Sequence, residues 1–185
     1  MESNSVYVVM PAYNEEENIE SVIQAWYPVL EGKSGLSRLV VADSGSTDAT
    51  HEILKRLQKE YPQLEILSNT GKQHGPKLIA LYKYAIEQGA DYIFQTDSDG
   101  QTNPGEFASF WDDRQEYDAI LGHRNVRGDE QSRAFVELVV CKLLKLYFKV
   151  DVPDANAPFR LMKTSVVANY IDRFEPDYNI PNIML

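Results

Sequence analysis

Two aspartates one residue apart, Asp97 and Asp99, lie in the stretch Gln95-Thr96-Asp97-Ser98-Asp99-Gly100-Gln101, directly after the apolar run Tyr92-Ile93-Phe94. In a strand, residues i and i+2 point to the same side, so the two carboxylates converge if the strand runs that far. Neighbouring carboxylates repel unless a cation sits between them. A hard divalent ion that binds diphosphate and keeps several waters suits one or two carboxylates. The pattern points to a nucleotide-diphosphate site at the carboxyl edge of a sheet.

Two further clusters follow apolar runs in the same way. Pro11-Ala12-Tyr13-Asn14-Glu15 comes after Val6–Met10. The charges of Glu15 to Glu17 suit a helix dipole. They also suit a nucleoside pocket, in which Tyr13 offers a ring to the base and a carboxylate accepts from ribose hydroxyls. Asp43-Ser44-Gly45-Ser46-Thr47-Asp48 comes after Leu39–Ala42. Thr47 reads as an N-cap and Asp48 as a first-turn residue, whereas Asp43 can accept an imide or amino proton from a nucleobase.

These clusters require a scaffold that gathers strand ends. Short apolar runs alternate with longer helical patterns: strands at Val6–Met10, Leu39–Ala42, Leu64–Leu67, Asp91–Thr96 and Ala119–Leu121, and helices at Glu16–Leu30, Asp48–Tyr61, from Pro76 to Gln88, and from Pro104. This rhythm predicts an α/β fold with a mostly parallel sheet flanked by helices. Such sheets bind ligands beyond the carboxyl ends of their strands.

Bulk properties permit one domain spanning residues 1–185. Lys and Arg number 18 against 28 Asp and Glu, a net charge of −10, which disfavours nucleic acid as a partner. The single cysteine, Cys141, excludes an intrachain disulfide and a Cys-based zinc site. The N-terminus lacks a signal-peptide pattern and no 18-residue apolar run is present. The expected location is cytoplasmic, at most at the inner face of the plasma membrane.

In order and at strand ends, Pro11 to Glu15, Asp43 to Asp48 and Asp97 to Gln101 resemble the signature of family 2 glycosyltransferases, inverting enzymes of the GT-A fold that use nucleotide-diphospho sugars. Gln101 and the later Arg160 resemble the branch containing dolichol-phosphate and polyprenyl-phosphate glycosyltransferases. The resemblance implies a nucleotide-binding half (1–100) and an acceptor-side half (101–185). It implies that Pro11, Tyr13, Glu15 and Asp43 line the nucleoside pocket. Asp97 and Asp99 would hold Mg2+ or Mn2+ with the donor diphosphate, with Gln101 as a further oxygen ligand. Ser44 stands where many relatives carry a second aspartate. In Gly71-Lys72-Gln73-His74-Gly75, the glycines and cations either approach the diphosphate, Gly75 at a helix start, or form an ordinary turn.

The implied acceptor is a lipid phosphate or a glycan. A sugar hydroxyl needs a general base; an anionic phosphate does not. Asp154 is the base candidate, or a turn residue after Pro153. Arg124 has the forked geometry for a phosphate. Arg160 follows Ala157-Pro158-Phe159, where Gly-Phe-Arg is common in the family, and either binds acceptor phosphate or pairs with a buried carboxylate. The wide apolar surface of 132–149 suits a membrane interface, a twin subunit, or packing within this domain. The apolar run ending at Leu185 suggests a catalytic core cut from a longer chain. A nucleotidyltransferase would favour a glycine-rich loop after the first strand, unlike Pro11 to Glu15. A noncatalytic nucleotide-sugar binding or oligomerisation module is the other alternative.

Overall fold

A computed structural model describes residues 4–122, 139–149, 152, 154–175 and 177–184. Six strands form one sheet: β1 (Val6–Ala12), β2 (Arg38–Asp43), β3 (Leu64–Leu67), β4 (Tyr92–Gln95), β5 (Ala119–Leu121) and β6 (Arg160–Lys163). Their order is β3-β2-β1-β4-β6-β5. The first four are mutually parallel, whereas β6 runs antiparallel between β4 and β5. The architecture is the expected mostly parallel α/β sheet flanked by helices.

Alternation along the central strands supplies both faces. Val6, Val8, Met10 and Ala12 of β1 join one core, together with Leu39 and Val41 of β2 and Phe94 of β4. Tyr7, Val9, Val40, Ala42 and Ile93 join the other. The first core lies under α1 (Ile19–Trp26), α2 (Thr50–Glu60) and α4 (Phe107–Asp112), and the second under α3 (His74–Glu87). Burial on both faces explains why β1 is apolar throughout. Trp26, Phe94 and Phe159 form an aromatic knot with centroids 4.8–5.9 Å apart, tying α1 to β4 and to the segment entering β6.

Several boundaries differ from expectation. The first helix begins at Ile19, and its last turn, Tyr27–Leu30, is 3-10. Pro28 has no N–H and crowds the carbonyl four residues back, which ends the α-helical ladder. β4 stops at Gln95, so strand alternation does not reach Asp97 and Asp99. A strand was not foreseen at Arg160–Lys163, whose four residues carry no clear period-2 signal. α3 starts at His74, taking Gly75 and Pro76 into its first turn. Arg124 and residues 132–138 of the apolar segment lie outside the described residues. In its remainder, Leu143, Leu146, Tyr147 and Phe148 are exposed. No helix among the described residues is long and apolar enough to cross a membrane.

Candidate active site

β1 and β2 run parallel with Ala12 opposite Asp43, so the two following loops leave the sheet together. They are laced by side chains. Asn14, in the left-handed region at φ 55, accepts from the Thr47 N–H at 2.8 Å. Its own N–H donates to Ser46 Oγ, and the Glu15 N–H donates to Thr50 Oγ1 at 2.8 Å. Asn tolerates that backbone conformation better than most residues. Asp48 sits ahead of α2, not within it, and accepts from the Thr50 and Glu16 N–H groups. Its carboxylate does the capping expected of Thr47.

Asp97 and Asp99 are brought together by a turn. Ser98 is buried and donates to the Pro11 carbonyl at 2.8 Å, pinning the turn to the end of β1. Thr96 and Thr102 share a hydroxyl contact of 2.8 Å across its base. Gly100, at φ 75, supplies the reversal that a residue with a Cβ resists. Asp99 Oδ1 accepts from the Gln101 N–H at 3.0 Å.

These loops enclose a cavity of about 360 Å³. Pro11, Tyr13, Glu15, Asp97 and Asp99 line it, together with Lys72, His74 and Lys77 from the start of α3 and the turn before it. Burial, with the Asp99 and Asp48 charges behind it, raises the Glu15 carboxyl above its ordinary range, against an opposing hydrogen bond from Asn18.

Lys77 is the residue that the sequence reading passed over. Its side chain is 1% exposed, its ammonium donates to the Ala12 carbonyl, and it lies 5.0 Å from the centre of the Tyr13 ring. Desolvation lowers its pKa, and the Asp43 charge opposes that shift. The available signal was its spacing: Lys77 follows His74 by three residues and so shares its helix face.

Other expected residues do not line the cavity. Asp43 is buried, with its carboxylate taken by the Ser46 hydroxyl and by His51 Nδ1 at 2.9 Å. Ser44 is a buried junction that donates to the Ser68 carbonyl and accepts from the Thr70 N–H. Gln101 is exposed. Gly75 lies under the chain's own backbone: a Cβ there would meet the Tyr178 oxygen at 2.1 Å. Asp154 is 1% exposed, and its Oδ1 accepts from the Asn156 N–H at 3.2 Å. Arg160 is also 1% exposed and donates to backbone carbonyls.

Among the described residues, no cluster of three or more His, Cys, Asp or Glu is poised to hold a metal. Two carboxylates on a braced turn at a cavity wall nevertheless fit an ion that completes its shell with phosphate oxygens and water.

The sequence profile described as Glycosyl transferase family 2 matches residues 7–171. The succinoglycan biosynthesis protein ExoA of Rhizobium meliloti is 37% identical over 110 residues, covering 57% of this chain and 31% of that protein. An undecaprenyl-phosphate mannosyltransferase of Micrococcus luteus is 23% identical over 168 residues, covering 88% and 68% respectively. A solved structure of glucosyl-3-phosphoglycerate synthase from Mycobacterium tuberculosis, in complex with Mn2+, UDP-glucose and glycerol 3-phosphate, superposes with a TM-score of 0.67 at 21% identity. It covers 89% of this chain and 58% of that one. The chain thus spans less than a third of ExoA's length.

Proposed function

The chain belongs to glycosyl transferase family 2, and on that premise we propose that it moves a sugar from a nucleotide-diphospho donor to a lipid-phosphate or glycan acceptor of the cell envelope. The observation that carries this reading is the cavity where Tyr13, Lys77, Asp97 and Asp99 meet at the carboxyl ends of β1 and β4. Tyr13, half exposed, stacks on the base, and Glu15 accepts from the ribose hydroxyls. Lys77 presents a desolvated ammonium to the diphosphate, a charge-assisted contact stronger than a neutral one. Asp97 and Asp99 would hold Mg2+ or Mn2+, which when bound acts as a Lewis acid towards the charge on the leaving diphosphate. The acceptor attacks from the opposite face of the sugar, inverting the anomeric centre.

Asp154 favours a phosphate acceptor over a hydroxyl. Its carboxylate is withdrawn from solvent, at 1% exposure, so an acceptor that must lose a proton finds no accessible base at Asp154. An anionic phosphate needs none. A lipid phosphate lies at a bilayer, and exposed Leu146, Tyr147 and Phe148 beside Lys145 and Lys149 suit its interface. Co-sedimentation of the full chain with anionic liposomes is the expected result. A Tyr147→Ser, Phe148→Ser double variant should lose about tenfold in that partitioning.

The primary test is release of nucleotide diphosphate from a panel of UDP- and GDP-sugars, with Mn2+, with Mg2+ and with chelator. Turnover of one donor that chelator abolishes is expected. Failure of every nucleotide to bind would overturn the assignment.

Glu15 makes the affinity pH-dependent in a defined direction. A raised carboxyl pKa means that the empty fold holds the Glu15 proton more tightly than the unfolded chain does. The group therefore favours the free fold at acid pH, and this contribution fades as pH rises through its pKa. Donor binding needs the ionised form, so affinity should fall on acidification at a pH above the ordinary glutamate range. Glu15→Gln should flatten that limb in a titration of nucleotide binding. Persistence of the same limb in the variant would exclude Glu15 as its origin.

A further inference from the structure

One buried guanidinium joins two segments far apart in the chain. Arg160 opens β6, next to the end of β4. Its Nε and Nη2 donate to the Ala157 carbonyl at 2.9 and 2.6 Å, and its Nη1 donates to the Asn182 carbonyl at 3.0 Å. A planar fork of fixed donors holds two acceptors in one relative placement, which a flexible ammonium cannot do. The first acceptor belongs to the loop that carries Asp154. The second belongs to the segment 178–182, which crosses the start of α3.

That segment is seated on α3 at two more points. Its backbone at Tyr178 and Asn179 occupies the space over Gly75, where a Cβ would lie 2.1 Å from the Tyr178 oxygen and 2.5 Å from the Asn179 Cα. Asn182 is buried, and its Oδ1 lies 3.3 Å from the Tyr82 hydroxyl, which also touches the Gln95 amide. Tyr82 has one proton for two amides. Both are satisfied when Tyr82 donates to Asn182 and the Gln95 amide, turned over, donates Nε2 to the Tyr82 oxygen. This arrangement also gives the buried, unpaired Gln95 Nε2 a partner. Gln95 ends β4, two residues before Asp97. The 178–182 segment is thereby linked to both walls of the cavity, the first turn of α3 with His74 and Lys77 and the turn after β4.

We propose that Arg160 is a positioning residue for donor binding: it clamps the 178–182 segment onto α3, and so holds the Lys77 wall against the Asp97–Asp99 turn, without touching the acceptor. What the cavity binds rests on the function proposed above; the clamp itself does not.

The test is a double-mutant cycle on the full chain with Arg160→Lys and Gly75→Ala. Gly75→Ala lifts the same segment from the other side and leaves Arg160 unchanged. Hydrogen exchange without ligand should rise about tenfold at the amides of 178–183 other than Pro181 in each variant, with β1 and β4 unchanged. Binding of UDP and of GDP with Mn2+ should weaken about 5- to 20-fold in each, and the double variant should be no worse than the worse single one. Unchanged exchange at 178–183 in Arg160→Lys, or losses of affinity that multiply in the double variant, would overturn the clamp. Exchange rising equally across β1 and β4 would reduce Arg160 to a general support of the fold and also overturn it. Should Arg160→Lys fail to fold, Gly75→Ala decides alone: loosened exchange with unchanged nucleotide affinity refutes the proposal. A wild-type chain that binds neither nucleotide refutes the functional reading, while the exchange data still judge the clamp.

Discussion

Asp99→Asn is expected to lower sugar transfer by about 1,000-fold or more while the melting temperature stays within about 2 °C. The substitution is nearly isosteric. An asparagine retains the Oδ1 that accepts from the Gln101 N–H, so the turn after β4 keeps its hydrogen bond. What is lost is one of the two carboxylate charges that would face a divalent ion. A 1,000-fold effect corresponds to about 4 kcal/mol of barrier, a reasonable share for charge stabilisation in a partly dry cavity. Measuring turnover against Mn2+ concentration separates the contributions: the variant should need far more metal and should still fall short at saturation. Transfer within threefold of wild type would remove Asp99 from the reaction. One further effect checks the electrostatics. Asp99 helps to raise the Glu15 carboxyl, so neutralising it should move the acid limb of nucleotide binding to lower pH.

Lys77→Met is the second large effect, and it falls on binding. Methionine has a similar length and fills the apolar surroundings of the lysine stem. The fold loses a buried cation whose desolvation is costly, and the Ala12 carbonyl loses a donor. These terms oppose each other at about 1–3 kcal/mol each, so stability should change little. Donor affinity should nevertheless fall about 30- to 100-fold, because a charge-assisted contact to the diphosphate is gone. The pH dependence supplies a signature. Desolvation lowers the Lys77 pKa from 10.5, so the lysine destabilises the empty fold as pH falls and the amine takes up its proton. An anionic ligand favours that proton, so wild-type affinity should decline at alkaline pH, from a point below the ordinary lysine range. Lys77→Met should lack this decline. Calorimetric titration of the nucleotide diphosphate at several pH values measures both effects, and an affinity within twofold of wild type would rule out the contact.

Local pattern carried much of the architecture. Apolar runs at Val6–Met10 and Leu39–Ala42 were legible because strands buried on both faces need apolar side chains at nearly every position; Leu64–Leu67, the edge strand, was legible although Glu65 interrupts it and only Leu64 is buried. The antiparallel strand Arg160–Lys163 was hidden because its pairing partners, β4 and β5, are distant in sequence and its composition is mixed. Lys77 was hidden for a related reason. Within a helix a lysine reads as a solvated residue, and nothing local shows that the Ala12 carbonyl and the Tyr13 ring will close over it. Asp97 and Asp99 were found by a strand argument that does not apply where they sit. Their convergence depends on Ser98 reaching Pro11 and on the positive φ of Gly100.

The sequence by itself determined the fold class, the family signature and the fact that its chemistry gathers at strand ends, because hydrophobic period and turn residues are local properties that the backbone must obey. Only the tertiary structure decided which polar side chains face the cavity and which serve the scaffold. Asp43, Ser44, Gly75, Asp154 and Arg160 are turned towards their own chain, whereas Lys77 is brought to the cavity wall. That division follows from long-range backbone approach: a buried donor or acceptor must find its partner, and the partner is supplied by a segment tens of residues away.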